Sequence, residues 1–129
     1  MSYVYDAGAD TLIRADGLAA VTATTVVAPI DFEYGFNKNV AVVINVTAID
    51  RANADETYVL SVESADAAGA NPVVIASIPT ITAIGQYVML IDCSTAQKLD
   101  VDGARIGVTA TIGGTTPSLT FSAILMPIE

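Results

Sequence analysis

The chain has 129 residues, the size of a single domain, and it carries a net charge of −9 with only five Lys and Arg residues. These basic residues are scattered, which argues against nucleic-acid binding because phosphate recognition needs clustered positive charge. There is no His and only one Cys, so the chain has no imidazole to activate a nucleophile and cannot form an internal disulfide. No apolar run reaches the roughly 20 residues of a membrane-spanning helix.

The first 20 residues are acidic and rich in small side chains. We predict that residues 1–20 form an N-terminal arm ahead of a single β-sandwich domain at residues 21–129. Within the arm, Thr11–Arg14 fits either one helical turn or a short strand. Residues Met1–Asp6 lack the basic start and apolar centre of a signal peptide, so we expect the protein to be made and left in the cytoplasm of the cell that synthesises it.

The rest of the chain is a series of short strands. Val, Ile and Thr supply 42 of the 129 residues, and turn-forming residues separate the apolar segments. No stretch has a sustained helical period, and an eighth strand fits either in the arm or at Ile81–Ile84. The pattern predicts an all-β sandwich of seven to eight strands, with a jelly roll as the leading topology and an immunoglobulin-like sandwich as the alternative. The seven strands are predicted at Val21–Val27, Lys38–Ile49, Thr57–Ser64, Pro72–Ile78, Gln86–Asp92, Gly103–Ile112 and Ser118–Ile128.

The segment Lys38–Ile49 is largely apolar on both faces, which indicates a central strand or one whose outer face is covered. If a partner covers that outer face, Val43 and Ile49 are candidate interface residues; the alternative is a second layer of the same fold. Pro72–Ile78 has Pro at both ends, which suits an edge strand. Alternation assigns Val40, Val42, Ile44 and Val46 to one face of the first segment, and Ala41, Val43, Asn45, Thr47 and Ile49 to the other.

Aromatic residues are few, and five of the eight occur in two groups. Tyr3 and Tyr5 lie in the predicted arm, and Phe32, Tyr34 and Phe36 alternate ahead of the strongest predicted strand. Aromatic side chains are enriched among the residues that dominate binding interfaces. We therefore predict partner contacts at these five positions, with the alternative that the second group closes one end of the sandwich.

No group of residues has the pattern of a catalytic, cofactor or metal site. A carboxylate pair for glycoside hydrolysis, or an oxygen cluster for Ca²⁺, could be drawn from Asp50, Asn53, Asp55 and Glu56, but ordinary acidic loop residues are the favoured interpretation. Asp100 and Asp102 are a second weak carboxylate pair. Gly113 and Gly114 are predicted in a hairpin turn with no helix after it, so they are not a phosphate-binding loop.

Several segments follow one another in an order found in a known family. The order resembles that of the small capsid cement, or decoration, proteins of tailed phages, and it covers most of the chain. Arg105–Gly114, the penultimate strand with its Gly-Gly turn, is the most family-like part. The acidic arm and Phe32–Phe36 depart from the family pattern. The other matching segments are the Ala-rich Ala19–Thr25, Val40–Val46, Tyr58–Ser64, the loop Ser64–Gly69, Ile75–Ile78 and a final strand rich in Ser, Thr and Ala.

The resemblance implies a non-enzymatic jelly-roll protein on the outer surface of an icosahedral virion. Its partners would be the major capsid protein and further copies of itself, as a dimer or trimer, with neither nucleic acid nor membrane involved. Two other functions remain open at this point. One is another virion structural part, such as a tail, head-completion or receptor-binding domain, and the other is a carbohydrate-binding jelly roll.

Overall fold

A computed structural model of the chain describes residues 12–31 and 39–127. Two antiparallel β-sheets dominate it, which confirms the predicted all-β sandwich. The one helix in the described residues, α1, spans Cys93–Leu99. The strands are β1 (Leu12–Arg14), β2 (Thr25–Val26), β3 (Ile30–Asp31), β4 (Val40–Ile49), β5 (Thr57–Ala65), β6 (Val73–Ile78), β7 (Gly85–Ile91), β8 (Arg105–Gly113) and β9 (Leu119–Pro127).

The strand order is that of a jelly roll. Sheet I has the order β1-β9-β4-β7, and sheet II has the order β2-β8-β5-β6 with β3 also paired to β8. The pairings are nested along the chain. The innermost pair is the β5–β6 hairpin; outside it β4 pairs with β7, then β2 and β3 pair with β8, and the outermost pair is β1 with β9. A long hairpin that is wound into two packed sheets produces this arrangement.

The core lies between the sheets and follows the alternation of the strands. On β4, Val40, Val42 and Ile44 are fully buried, because successive side chains of a strand point to opposite faces and these three share the inner one. Alternation along the later strands assigns an inward set of side chains to each of them, and these side chains are also buried. They include Tyr58, Leu60, Val62, Ile106, Val108, Ala110, Leu119, Phe121, Ala123 and Leu125.

Two predictions about strand position are confirmed. The strand with two apolar faces, β4, lies inside sheet I between β9 and β7, and the Pro-flanked β6 is an edge strand of sheet II. Leu12–Arg14, in the segment predicted as an arm, forms the short strand β1 and pairs with β9. Ile13 is buried there and joins the core.

A β-bulge changes which face of the sheet the end of β4 presents. Val46 lies opposite Phe121 and Ala48 lies opposite Thr120, so Thr47 is an extra residue in the ladder. The extra residue reverses the alternation, and Ile49 lies opposite the buried Leu119 and packs against the core. The sequence prediction had placed Ile49 on the outer face beside Val43.

Two further differences from the sequence prediction come from the connections. α1 was not predicted; Asp92 caps its N-terminus by accepting a hydrogen bond from the Ser94 backbone N–H at 2.9 Å. The turn that contains Gly114 is not a hairpin, because β8 lies in sheet II and β9 in sheet I. Of the two places considered for an eighth strand, the arm contains β1, whereas Ile81–Ile84 is not a strand. In the part of the chain that is described, no helix is long and apolar enough to cross a membrane.

Candidate interaction surface

The outer face of sheet I is apolar over most of its width. Val43 on β4 lies opposite Ile124 on β9 and Val88 on β7, and directly opposite residues share a face of the sheet. Two residues earlier on β4, Ala41 lies in the same way opposite a residue of each neighbouring strand. We call the six residues of these two rows the apolar face: Ile124, Val43, Val88, Met126, Ala41 and Leu90.

The exposed fraction of the side chains rises from β4, at the centre of the apolar face, to β7 at the side of the sheet. Val43 is only 5% exposed at the centre, whereas Val88 is 50% and Leu90 is 71% exposed at the side of the sheet. Large aliphatic side chains with this exposure, adjacent in one row and next to further apolar residues, form a contiguous patch rather than scattered single residues. Such patches on soluble proteins mark surfaces that another molecule covers.

A polar depression adjoins the apolar face. The next row of sheet I consists of Ser122, Asn45 and Gln86, two residues further along each strand. These side chains line a shallow, open depression of about 610 Å³, which Asp16 and Ile84 also border. Its amide, hydroxyl and carboxylate groups offer both hydrogen-bond donors and acceptors.

The outer face of sheet II has a different character. Ser61 on β5 lies opposite Ser77 on β6 and Thr109 on β8, and the two Ser hydroxyl oxygens are 3.3 Å apart, within hydrogen-bond distance. Glu63 and Thr111 occupy other positions of the same face. The exposed Val26 and Val74 lie opposite Thr109 and Glu63 on this face, so it is mixed, whereas sheet I has two adjoining rows that are wholly apolar.

The side chains of the acidic loop between β4 and β5 form hydrogen bonds within the protein. The carboxylate of Asp55 accepts hydrogen bonds from the Thr115 hydroxyl at 2.7 Å and from the Thr115 backbone N–H at 3.1 Å. These bonds, the one from the hydroxyl foremost, lower the pKa of Asp55 below its ordinary value. Asn53 also donates to the Thr115 carbonyl at 3.1 Å, so the loop is fastened to the β8–β9 turn.

Glu56 and Asp50 act within the same loop. Glu56 is 6% exposed, and its Oε1 accepts a hydrogen bond from the Asn53 backbone N–H at 2.9 Å. One oxygen of Asp50 accepts from the Ala52 backbone N–H at 2.8 Å. Residues 12–31 and 39–127 contain no group of three or more His, Cys, Asp or Glu side chains arranged to hold a metal. We call the hydrogen bonds of Asp50, Asn53, Asp55 and Glu56 within this loop and to Thr115 the loop clamp.

The predicted interface residues fall into three groups. Val43 lies at the centre of the apolar face, and Ile49 lies on the core side of β4. The five aromatic positions, Tyr3, Tyr5, Phe32, Tyr34 and Phe36, lie outside the described residues. Sequence reasoning did not name Val88, Leu90, Ile124 or Met126 as interface residues, although alternation along β7 is enough to place the first two on one face.

Comparison with known proteins adds no relative: no family model, no curated protein and no solved structure matches this chain.

Proposed function

We propose that the protein is a non-enzymatic capsid cement protein that binds the outside of an icosahedral phage head and stabilises contacts between major capsid subunits. The observation that carries this proposal is the apolar face, two adjoining rows of apolar residues on one side of a jelly-roll sandwich whose other side mixes hydroxyl and charged residues with Val26 and Val74. The partner would cover sheet I and leave the outer face of sheet II uncovered. The protein would then reside on the outer surface of the virion.

A binding role of this kind needs area and many copies rather than chemistry. A cement protein that lies across a seam adds buried surface on both sides of that seam, and opening the seam would expose this surface to water again. Each contact can be modest, because many copies on one shell act together. Leu90 and Val88, which are exposed and lie next to one another, are the residues that gain most from being covered.

The proposal is tested with heads of the phage that encodes the chain, assembled without it and then mixed with the purified protein. We expect saturable binding to assembled heads and little binding to the free capsid subunit. Decorated heads should also release their DNA at a higher temperature than bare heads. Bare and decorated heads of equal thermal stability would overturn the proposal.

Two matched substitutions locate the binding face. Ile124→Asp places a charge on the apolar face, and Thr111→Asp places the same charge on the outer face of sheet II. We expect the first variant to bind heads at least about tenfold more weakly, which corresponds to about 1.4 kcal/mol, and the second to bind normally. Circular dichroism and urea unfolding of both variants establish that they are folded. Equal losses in the two variants would remove the apolar face from the proposal.

Electron microscopy of labelled protein distinguishes a cement protein from other virion parts. Label over the whole shell is expected for a cement protein. Label at a single vertex or on the tail would indicate a head-completion, tail or receptor-binding domain instead, and the cement proposal would fail.

The polar depression favours a second candidate function, the binding of a carbohydrate. Asn45, Gln86 and Ser122 provide amide and hydroxyl groups in one row, and such groups can hydrogen-bond to sugar hydroxyls. A glycan array tests this directly, with Asn45→Ala as the matched variant. Signal on the array that Asn45→Ala abolishes would support carbohydrate binding, and an array without signal would exclude it for the glycans tested.

A further inference from the structure

The edges of the two sheets differ between the two sides of the sandwich. On one side the edge strands are short: β1 has three residues, and β2 and β3 have two each. On the other side β6 has six residues and β7 has seven. A long edge strand presents a row of unpaired backbone N–H and C=O groups, which is a template for pairing with another chain. The long edges are therefore candidate sites for pairing with another chain.

The two long edge strands themselves carry no charge. Residues 67–91, which include all of β6 and β7, contain no Asp, Glu, Lys or Arg, although the whole chain has a net charge of −9. The short edge strand β1, in contrast, carries Arg14. Charges on edge strands are a common protection against pairing, and β6 and β7 lack this protection.

Of the two long edges, β7 is the more open. It pairs with β4 over seven consecutive residues without a register shift, and no described segment forms a backbone ladder with its other edge. The pairing of β6 with β5, in contrast, contains a bulge between Val62 and Glu63. A bulge disrupts the ladder and obstructs edge pairing, so β7 is the more regular of the two edges.

We propose that β7 is a homodimerisation edge, at which β7 of one copy pairs antiparallel with β7 of a second copy across a two-fold axis close to Val88. A second copy is the occupant that the charges favour. Two chains of −9 repel one another, and the repulsion is least where each presents an uncharged edge strand. A two-fold axis also makes the contact self-complementary and limits it to two copies.

The pairing has a geometric consequence. Two four-stranded sheets joined at their β7 edges form one continuous eight-stranded antiparallel sheet. A two-fold axis perpendicular to the sheet leaves the outer faces of both copies on the same side, so Val88 of one copy lies beside Val88 of the other. The two apolar faces then merge into one bivalent surface. The dimer proposal rests on the edges of the sheets, and it does not depend on the proposed binding to a capsid.

Sedimentation velocity and light scattering over a range of protein concentrations test the dimer. An interface limited to one strand and its flanking side chains is small, so we expect a monomer–dimer equilibrium in the micromolar range. Val88→Glu brings two negative charges together at the axis and should raise the dimer dissociation constant at least about tenfold. Val74→Glu is the matched control, since Val74 lies on β6 and is 52% exposed, against 50% for Val88. It should leave the equilibrium unchanged.

Three results would overturn the proposal: a wild-type protein that is still monomeric at about 300 µM, a trimer, or a dimer that Val74→Glu weakens as much as Val88→Glu. Cross-linking keeps the test valid if Val88→Glu fails to fold. In a Cys93→Ser background, Val88→Cys should oxidise to a covalent dimer, because directly opposite residues at an antiparallel pair lie within disulfide reach. Val74→Cys in the same background should not, and equal cross-linking of both would contradict the assignment to β7.

Discussion

The Tyr58 hydroxyl accepts a hydrogen bond from the Ser118 backbone N–H at 3.0 Å and donates one to the Asp50 carbonyl. The Asp50 backbone N–H in turn donates to the Ser118 carbonyl at 2.9 Å. One buried side chain therefore ties the end of β4 to the start of β9, at the same end of the sandwich as the loop clamp. Tyr58 is 2% exposed. Its hydroxyl therefore serves the Ser118 N–H and the Asp50 carbonyl in a part-buried site, where water does not readily replace it.

Tyr58→Phe should destabilise the protein by about 1 to 3 kcal/mol, because it leaves the Ser118 N–H and the Asp50 carbonyl without this partner in a part-buried site. Urea unfolding followed by circular dichroism measures the change. Tyr87→Phe is the control, since its hydroxyl donates to the Ala83 carbonyl at 2.7 Å in an exposed position, where water can replace it. A Tyr58→Phe effect no larger than that of Tyr87→Phe would show that the bridge adds little.

Gly114→Ala should be among the most destabilising single changes in the turns. Gly114 has φ of +100°, and an added Cβ would lie 2.5 Å from the Asp55 carbonyl oxygen and 2.6 Å from the Glu56 Cα. Both contacts are with backbone, so the β8–β9 turn would have to move away from the acidic loop. We expect a loss of at least about 2 kcal/mol in the free energy of unfolding.

Gly17→Ala is the matched control for that substitution. Gly17 also has a positive φ, +81°, but an added Cβ would meet nothing within 4 Å. Its cost should be limited to the backbone conformation, about 1 kcal/mol. If the two substitutions have equal effects in urea unfolding, the close approach of Gly114 to Asp55 does not contribute to stability.

The clamp between Asp55 and Thr115 should make stability depend on pH in the acid range. The folded-state pKa of Asp55 is lowered, first by the Thr115 hydroxyl and then by the Thr115 backbone N–H. A lowered folded-state pKa stabilises the protein above the unfolded value of about 3.9, and this stabilisation is lost as the pH falls through the folded-state pKa. Asp55→Asn should therefore be less stable than wild type near pH 7, and the difference should shrink below about pH 4.

A double-mutant cycle checks the cause of this pH dependence. Thr115→Val removes the hydroxyl donor and keeps the backbone N–H, and its effect on stability should overlap with that of Asp55→Asn rather than add to it. Urea unfolding of the four proteins at several pH values gives the coupling. Fully additive effects would mean that the hydrogen bond between the two side chains is not the source of the dependence.

The alternation of side chains predicted most of this fold and less of its surface. Alternation correctly identified the inward residues of β5, β7, β8 and β9, because each of these strands packs one face against the core. Ile49 was misplaced, since a single extra residue at Thr47 reverses the pattern and alternation does not mark a bulge. α1 was missed because seven residues are too few to establish a helical period, although Asp92 as a capping residue was a local signal.

The apolar face could be predicted only in part. Val43 was recognised because β4 is apolar on both sides, but its neighbours across the sheet depend on which strands flank β4. The register that places Ile124 and Val88 beside Val43 arises from pairings of β4 with strands 45 or more residues away in the chain. Nothing local in the sequence specifies those pairings. The interface hypothesis could therefore name one residue of the face and not the surface.

Ile44 and Leu90 lie on opposite faces of sheet I, and their truncation should separate folding from binding. Ile44 is fully buried, and Ile44→Ala should cost about 2 to 5 kcal/mol because it leaves a cavity in the core. Leu90 is 71% exposed, so Leu90→Ala should change the free energy of unfolding by less than about 0.5 kcal/mol. If the apolar face binds a partner, the same Leu90→Ala protein should nevertheless bind heads more weakly. Urea unfolding and head binding on one preparation give both quantities, and a large loss of stability in Leu90→Ala would mean that Leu90 serves the fold.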